Sequence, residues 1–261
     1  MKHYKIILFL IIILGFNNTI IAQNTRTNIK NNIGWYGYFG TFKLNKKVSL
    51  HTEYQWRRNN IITEWQQSLL RLGVNYQLNP KLQLRSGYAW AETFPYGSIP
   101  INGFGKDFSE HRMFEMATVT DKISKVDLSH RFILEQRWVG RYTNTSLTKE
   151  DEYLFLNRIR YMFRMQMPLK GEIITDKTPY LVLYNEILIG FGKNVNENIF
   201  DQNRLGILFG YKINNQVRLE LGYLNQILQL GREINGSNVF QHNNGIILNT
   251  IFNFDFTKKS E

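Results

Sequence analysis

Cysteine is absent from all 261 residues. That excludes disulfides, thiolate zinc sites, cysteine nucleophiles and iron–sulfur clusters, so the fold must rest on strand pairing and packing. It also excludes a lipoprotein, which needs a lipid-bearing cysteine. There are only 5 Pro and 19 Gly, which argues against a collagen-like or low-complexity chain. Long apolar runs are missing after the first twenty residues, so no transmembrane helix is expected in the body of the chain. Mean hydropathy is negative, which argues against a helical membrane protein but not against a barrel, where only one face of each strand meets lipid. Acidic residues are the minority: 32 Lys and Arg stand against 21 Asp and Glu, a net charge of +11.

What is present begins with an address. Lys2 and Lys5 precede an apolar stretch over 6–16, Asn17-Asn18 interrupts it, and Ile20-Ile21-Ala22 ends before Gln23. A basic start, a dozen apolar residues and a small residue at the cut make a secretory signal peptide over 1–22. The run is too short to span a bilayer. The mature part, 23–261, is read as a single domain carrying about +9 once Lys2 and Lys5 are removed.

Along the mature part apolar and polar residues alternate with period two, the pattern of a two-faced strand. In 48–57, Val48, Leu50, Thr52, Tyr54 and Trp56 share one face, and Ser49, His51, Glu53, Gln55 and Arg57 the other. The pattern recurs near 33–43, 66–78, 81–93, 109–120, 125–138, 153–166, 179–190, 201–213, 216–228 and 243–256. Spans of this length suit tilted membrane strands. Short turns are expected at Asn45-Lys46-Lys47, Asn79-Pro80, Asp121-Lys122 and Asn214-Asn215, with longer connections near 59–65, 94–108, 139–152, 191–200 and 229–242. Alternation of short and long connections is what an outer-membrane barrel displays. Even strand counts are the rule there, so an extra strand is inferred within 24–32. The expectation is an all-β chain: a transmembrane antiparallel up-and-down β-barrel of about twelve strands, ten to twelve being compatible with the pattern.

Tyr54, Trp56, Tyr76, Tyr88, Trp90, Trp138 and Tyr211 fall near predicted strand ends and are assigned to an aromatic girdle. The last strand carries Phe252, Phe254 and Phe256 on one face, a C-terminal pattern suited to barrel-assembly machinery.

Several stretches, H-T-E-Y-Q-W-R at 51–57, E-H-R at 110–112, L-S-H-R-F-I-L-E-Q-R-W at 128–138, Y-N-E at 184–186 and G-Y-L-N-Q at 222–226, resemble an uncharacterised domain-of-unknown-function family of outer-membrane β-barrels common in the Bacteroidota. The resemblance implies a barrel fold and an outer-membrane location for essentially the whole mature chain. It implies no activity.

If the apolar face meets lipid, the other face lines a lumen holding Glu53, Arg57, Arg71, Arg85, Glu115, Arg131, Glu135, Arg137, Arg158, Arg160, Arg164, Glu186, Arg204, Arg218 and Glu220. Such a face can be a structural network of Arg–carboxylate pairs or a basic path favouring anions. On 109–120, placing Glu115 inward sends Glu110 and Arg112 to the outer rim. No catalytic residue is assigned. His51 and Glu53 can pair, but no Ser or Thr is placed beside them by sequence; His242 reads as a loop end. No metal-ligand spacing or phosphate loop occurs, and Asp201 stands isolated, so no metal and no cofactor is expected. Expected partners are outer-membrane lipid, lipopolysaccharide and the assembly machinery, not nucleic acid, and the chain is expected to be a monomer. Two other readings are a barrel enzyme acting on lipid or lipopolysaccharide, and a soluble periplasmic barrel binding an apolar ligand.

Overall fold

Period-two alternation sends successive side chains to opposite faces, and every segment carrying it is a strand. The computed structural model of the chain describes residues 26–195 and 198–257. The expected signal peptide lies outside them, as do residues 24 and 25. The strands are β1 (Arg26–Lys43), β2 (Val48–Asn59), β3 (Glu64–Asn79), β4 (Leu82–Thr93), β5 (Phe108–Ile123), β6 (Val126–Arg141), β7 (Glu152–Pro168), β8 (Thr178–Phe191), β9 (Phe200–Lys212), β10 (Val217–Ile234) and β11 (Ser237–Asp255). Each pairs with its sequence neighbour in antiparallel register, and β1 closes onto β11 to complete the barrel.

Among the described residues the count is eleven, not twelve. Residues 26–32 form no strand of their own; they continue β1 upward along β11, above the level where β2 begins to pair. An odd count makes the first and last strands run the same way, so this one seam is parallel, from Arg26↔Asn238 to Lys43↔Asp255.

The short turns share a mechanism. Asn45, Asn79 and Asn214 each accept, through Oδ1, the backbone N–H groups two and three residues on. These side chains mimic a backbone turn. The expected turn at Asp121-Lys122 lies further along, because β5 runs on to Ile123 and Ser124 takes a left-handed φ of 52°. The strict short–long alternation does not hold. The connection after β2 spans only 60–63, and the long connection expected over 229–242 is a two-residue turn, Asn235 (φ 51°) and Gly236 (φ 71°). Two positive φ values are what a type I′ hairpin turn needs. His242 therefore sits within β11, not at a loop end, and hydrogen-bonds Asn28 Oδ1 at 2.9 Å.

Burial is inverted relative to a water-soluble protein. Leu50, Leu72, Val74, Phe132, Ile159, Leu183, Ile207, Phe209 and Leu221 are exposed on the outer face, while Glu53, Glu135, Arg158, Arg160 and Glu186 are buried inside. The interior has an apolar wall as well, built from Trp35, Met162, Tyr180, Val182, Tyr184, Leu208, Leu224 and Ile247. Tyr184 and Tyr180 lie flat across Gly206 and Gly210, their cross-strand partners. A Cβ at either glycine would overlap the ring.

Candidate functional site: the charged interior

Inward positions on β2, β3, β5, β6, β7, β8, β9 and β10 bring arginines and carboxylates into the interior network. Glu53 accepts from Arg71 Nη1 at 2.8 and 2.9 Å and faces His51 Nε2 at 3.2 Å. Glu135, fully buried, accepts from Arg158 Nε at 2.7 Å and from Arg160 Nη1 at 2.8 Å. Arg71 approaches the same carboxylate at 3.8 Å. Glu186 accepts from Arg160, Arg131 and Arg204. Glu220 receives Arg164 together with Tyr180 Oη at 3.1 Å. Charge-assisted bonds of this kind are the strong ones, and each satisfies polar atoms that burial would otherwise leave bare.

Three carboxylates depart from the sequence expectation. Glu115 is not inside. It is exposed on the outer face of β5 and accepts from Gln136 Nε2 at 3.2 Å. The opposite register holds: Glu110, Arg112, Phe114 and Met116 are buried inward. Glu110 takes Arg112 Nε at 2.7 Å and also binds Arg137. The alternation in 109–120 is nearly symmetric in hydropathy, so pattern alone chose the wrong face; the Glu110–Arg112–Arg137 cluster decides it. Asp201 is not isolated but buried against Arg158, with Arg137 at 3.7 Å. A register shift opposite Leu188/Ile189 turns Asp201 inward beside Gln202. No alternation rule anticipates such a shift.

The expected girdle residues all face outward: Tyr54, Tyr76, Tyr88, Trp90, Trp138 and Tyr211 are exposed, and Trp56 is half-buried against Tyr36 and Trp65.

Two cavities lie within the barrel, an outer one of about 710 Å³ toward the long connections and an inner one of about 470 Å³ toward the short turns. Trp35, Arg57, Arg112 and Arg204 line both and form the septum between them. Arg57 stacks over the Trp35 ring at 3.9 Å and Arg204 lies 5.1 Å from it. The Trp35 indole N–H donates to Gln66 Oε1 at 2.7 Å, which fixes the ring across the passage. This inward Trp was not singled out by sequence. The connection over 94–107 folds over the outer cavity: Tyr96 donates to Gln241 Oε1 at 2.6 Å, and Arg232 binds the Pro100 carbonyl. Burial pushes the Tyr96 phenol above its ordinary range, so it stays a neutral donor.

His51 has Glu53 as its one hydrogen-bond partner, and among the described residues no hydroxyl bonds to it. No group of three or more His, Asp or Glu side chains that could hold a metal ion occurs among the described residues.

Fold and interior together define a closed β-barrel with an apolar exterior and an ion-paired core. Residues 32–236 match the model of a family described as a protein of unknown function (DUF2490), and the chain belongs to that family. No curated protein matches it.

Proposed function

We propose that the chain is exported through its N-terminal signal peptide and resides in the outer membrane of a Gram-negative cell as a single barrel domain over 23–261, with an arginine-lined interior that favours small anionic solutes. The observation that carries the membrane reading is the inverted burial. Exposed apolar side chains cover the outer face of strand after strand, far more contiguous apolar surface than a soluble monomer presents. Lipid and lipopolysaccharide would cover that surface, and the assembly machinery would insert the strands. The anion preference rests on the excess of inward arginines over carboxylates. The septum of Trp35, Arg57, Arg112 and Arg204 makes any path narrow. Membrane fractionation tests location: recovery in the soluble periplasm would overturn it. Planar-bilayer recording in asymmetric chloride tests the path. A reversal potential on the anion side is expected; a cation-side value, or silence at all salt concentrations, would remove the transport role.

A further inference from the structure

Most arginines lining the inner cavity have a carboxylate partner, but three do not. Among the described residues, Arg57, Arg85 and Arg218 form no ion pair. Arg85 has one hydrogen bond, to the neutral Asn75 Oδ1, and Arg218 has none. All three line the inner cavity of about 470 Å³. The buried Nε atoms of Arg71, Arg131 and Arg218, which line the same cavity, have no acceptor. The carboxylates there cannot supply the missing charge, because Glu53, Glu186 and Glu220 are each already held by arginine. Arg57 is buried and Arg85 and Arg218 are half-buried; interior cations without counter-charge are costly enough that a chamber of this kind calls for an anion.

We infer that the inner chamber is a binding site for a small multivalent oxyanion of the phosphate class, gripped by Arg85, Arg131 and Arg218. Guanidinium forks match tetrahedral oxyanions and donate two parallel bonds, which a spherical halide cannot exploit. Several unmatched arginines favour a multivalent anion over a monovalent one. The volume lies within the range of small-ligand sites. Access is from the short-turn rim: Arg164 and Gln166 line both the chamber and the cleft that opens there beside Lys81 and Lys122. The site deepens the anion-favouring reading but requires no transport.

The test is calorimetry on the full chain purified in detergent, in 0.15 M NaCl, with inorganic phosphate, pyrophosphate and glycerol 3-phosphate as probes. Saturable binding is expected, pyrophosphate being tightest. The double variant Arg85→Gln/Arg218→Gln should bind about tenfold or more weakly, the Lys/Lys pair should lose less, and Arg232→Gln, in the outer cavity, should match the native chain. If the double variant does not fold, Arg218→Gln alone carries the test, since that side chain has no hydrogen bond to lose. Glycerol 3-phosphate binding as phosphate does would identify the phosphoryl group of a larger solute as the ligand; its exclusion would identify the free anion. No saturable heat with any probe, or an unchanged Gln variant, overturns the site. Binding without conductance would instead overturn transport and leave the site standing.

Discussion

Glu135→Gln is the substitution that most directly tests whether the interior lattice holds the barrel together. The carboxylate is fully buried and accepts hydrogen bonds from two arginines, Arg158 through Nε and Nη2 and Arg160 through Nη1. Replacing it with the isosteric amide keeps the shape and removes the charge. Breaking a buried pair by removing one partner costs about 3–5 kcal/mol. Here the lower end applies, because Arg158 retains Asp201 and Arg160 retains Glu186, so neither is stranded. The expected loss is about 3 kcal/mol. Reversible urea unfolding of the chain in micelles or thin bilayers reads this as a lower midpoint at unchanged slope. Glu115→Gln is the matched control: the same chemical change at an exposed outer site with one long bond from Gln136. It should fall within about 0.5 kcal/mol of native or be slightly stabilising. A loss below about 1 kcal/mol for Glu135→Gln, or equal losses for the two variants, would refute the view that the lattice carries stability.

Trp35→Ala combined with Arg57→Ala removes half of the septum that separates the two cavities; single-channel conductance should rise by about twofold or more, and an unchanged value would place the constriction elsewhere. Gly245→Ala puts a Cβ into the Ile33 carbonyl across the β1–β11 seam, so it should destabilise by about 1–3 kcal/mol in the same unfolding assay, whereas Gly231→Ala, in more open surroundings, should not. In this cysteine-free chain, Lys43→Cys with Asp255→Cys should form a disulfide under mild oxidation, because these residues are register partners with an ion pair at 3.0 Å. Arg26→Cys with Asp255→Cys should not, and the reverse outcome would mean that the N-terminal segment runs antiparallel to β11.

Where alternation in the sequence was strong and one-sided, it identified both strand and face. In β2 the polar set His51, Glu53 and Arg57 is buried, and Leu50 and Tyr54 of the opposite set are exposed. The reading failed where the two faces carry similar chemistry. In β5 an inward Phe114 and Met116 follow Glu110 and Arg112, so the buried face is half apolar and hydropathy cannot choose it. A one-residue slip then moves the whole set to the other side. It failed again at the β10–β11 hairpin, where polar residues inside long strands, among them Gln229 and Gln241, look like loop composition. They are inward hydrogen-bonding groups, and the Asn235-Gly236 pair was the turn signal that outweighed composition. Asp201 and the septum tryptophan, Trp35, depend on a register shift and on which distant arginines reach them, and neither follows from local sequence.

The odd strand count follows from the same physics. A barrel of eleven strands has one pair that must be parallel, and parallel ladders are slightly weaker per residue than antiparallel ones. Length and side chains offset that weakness. The β1–β11 ladder runs without a bulge over the full length of β1, whereas β10–β11, β2–β3, β3–β4 and β8–β9 all contain shifts. Side chains tie it along its course: Asn28 with His242 and Asn31 with Asn243 at one end, Thr250 Oγ1 donating to the Gly37 carbonyl in the middle, and Lys43 with Asp255 at the other. On the outer face Tyr38 packs with Phe252, and Phe42 with Phe254 and Phe256, so the phenylalanines of the last strand complete the apolar surface of the first. A separate twelfth strand over 26–32 would need these same residues to leave β11 and turn back on themselves. Between Arg26 and Lys43 there is no proline and no residue with a positive φ, so nothing local favours such a reversal. Parity is a regularity among barrels; continuous pairing along β1 satisfies more backbone groups than obeying it would.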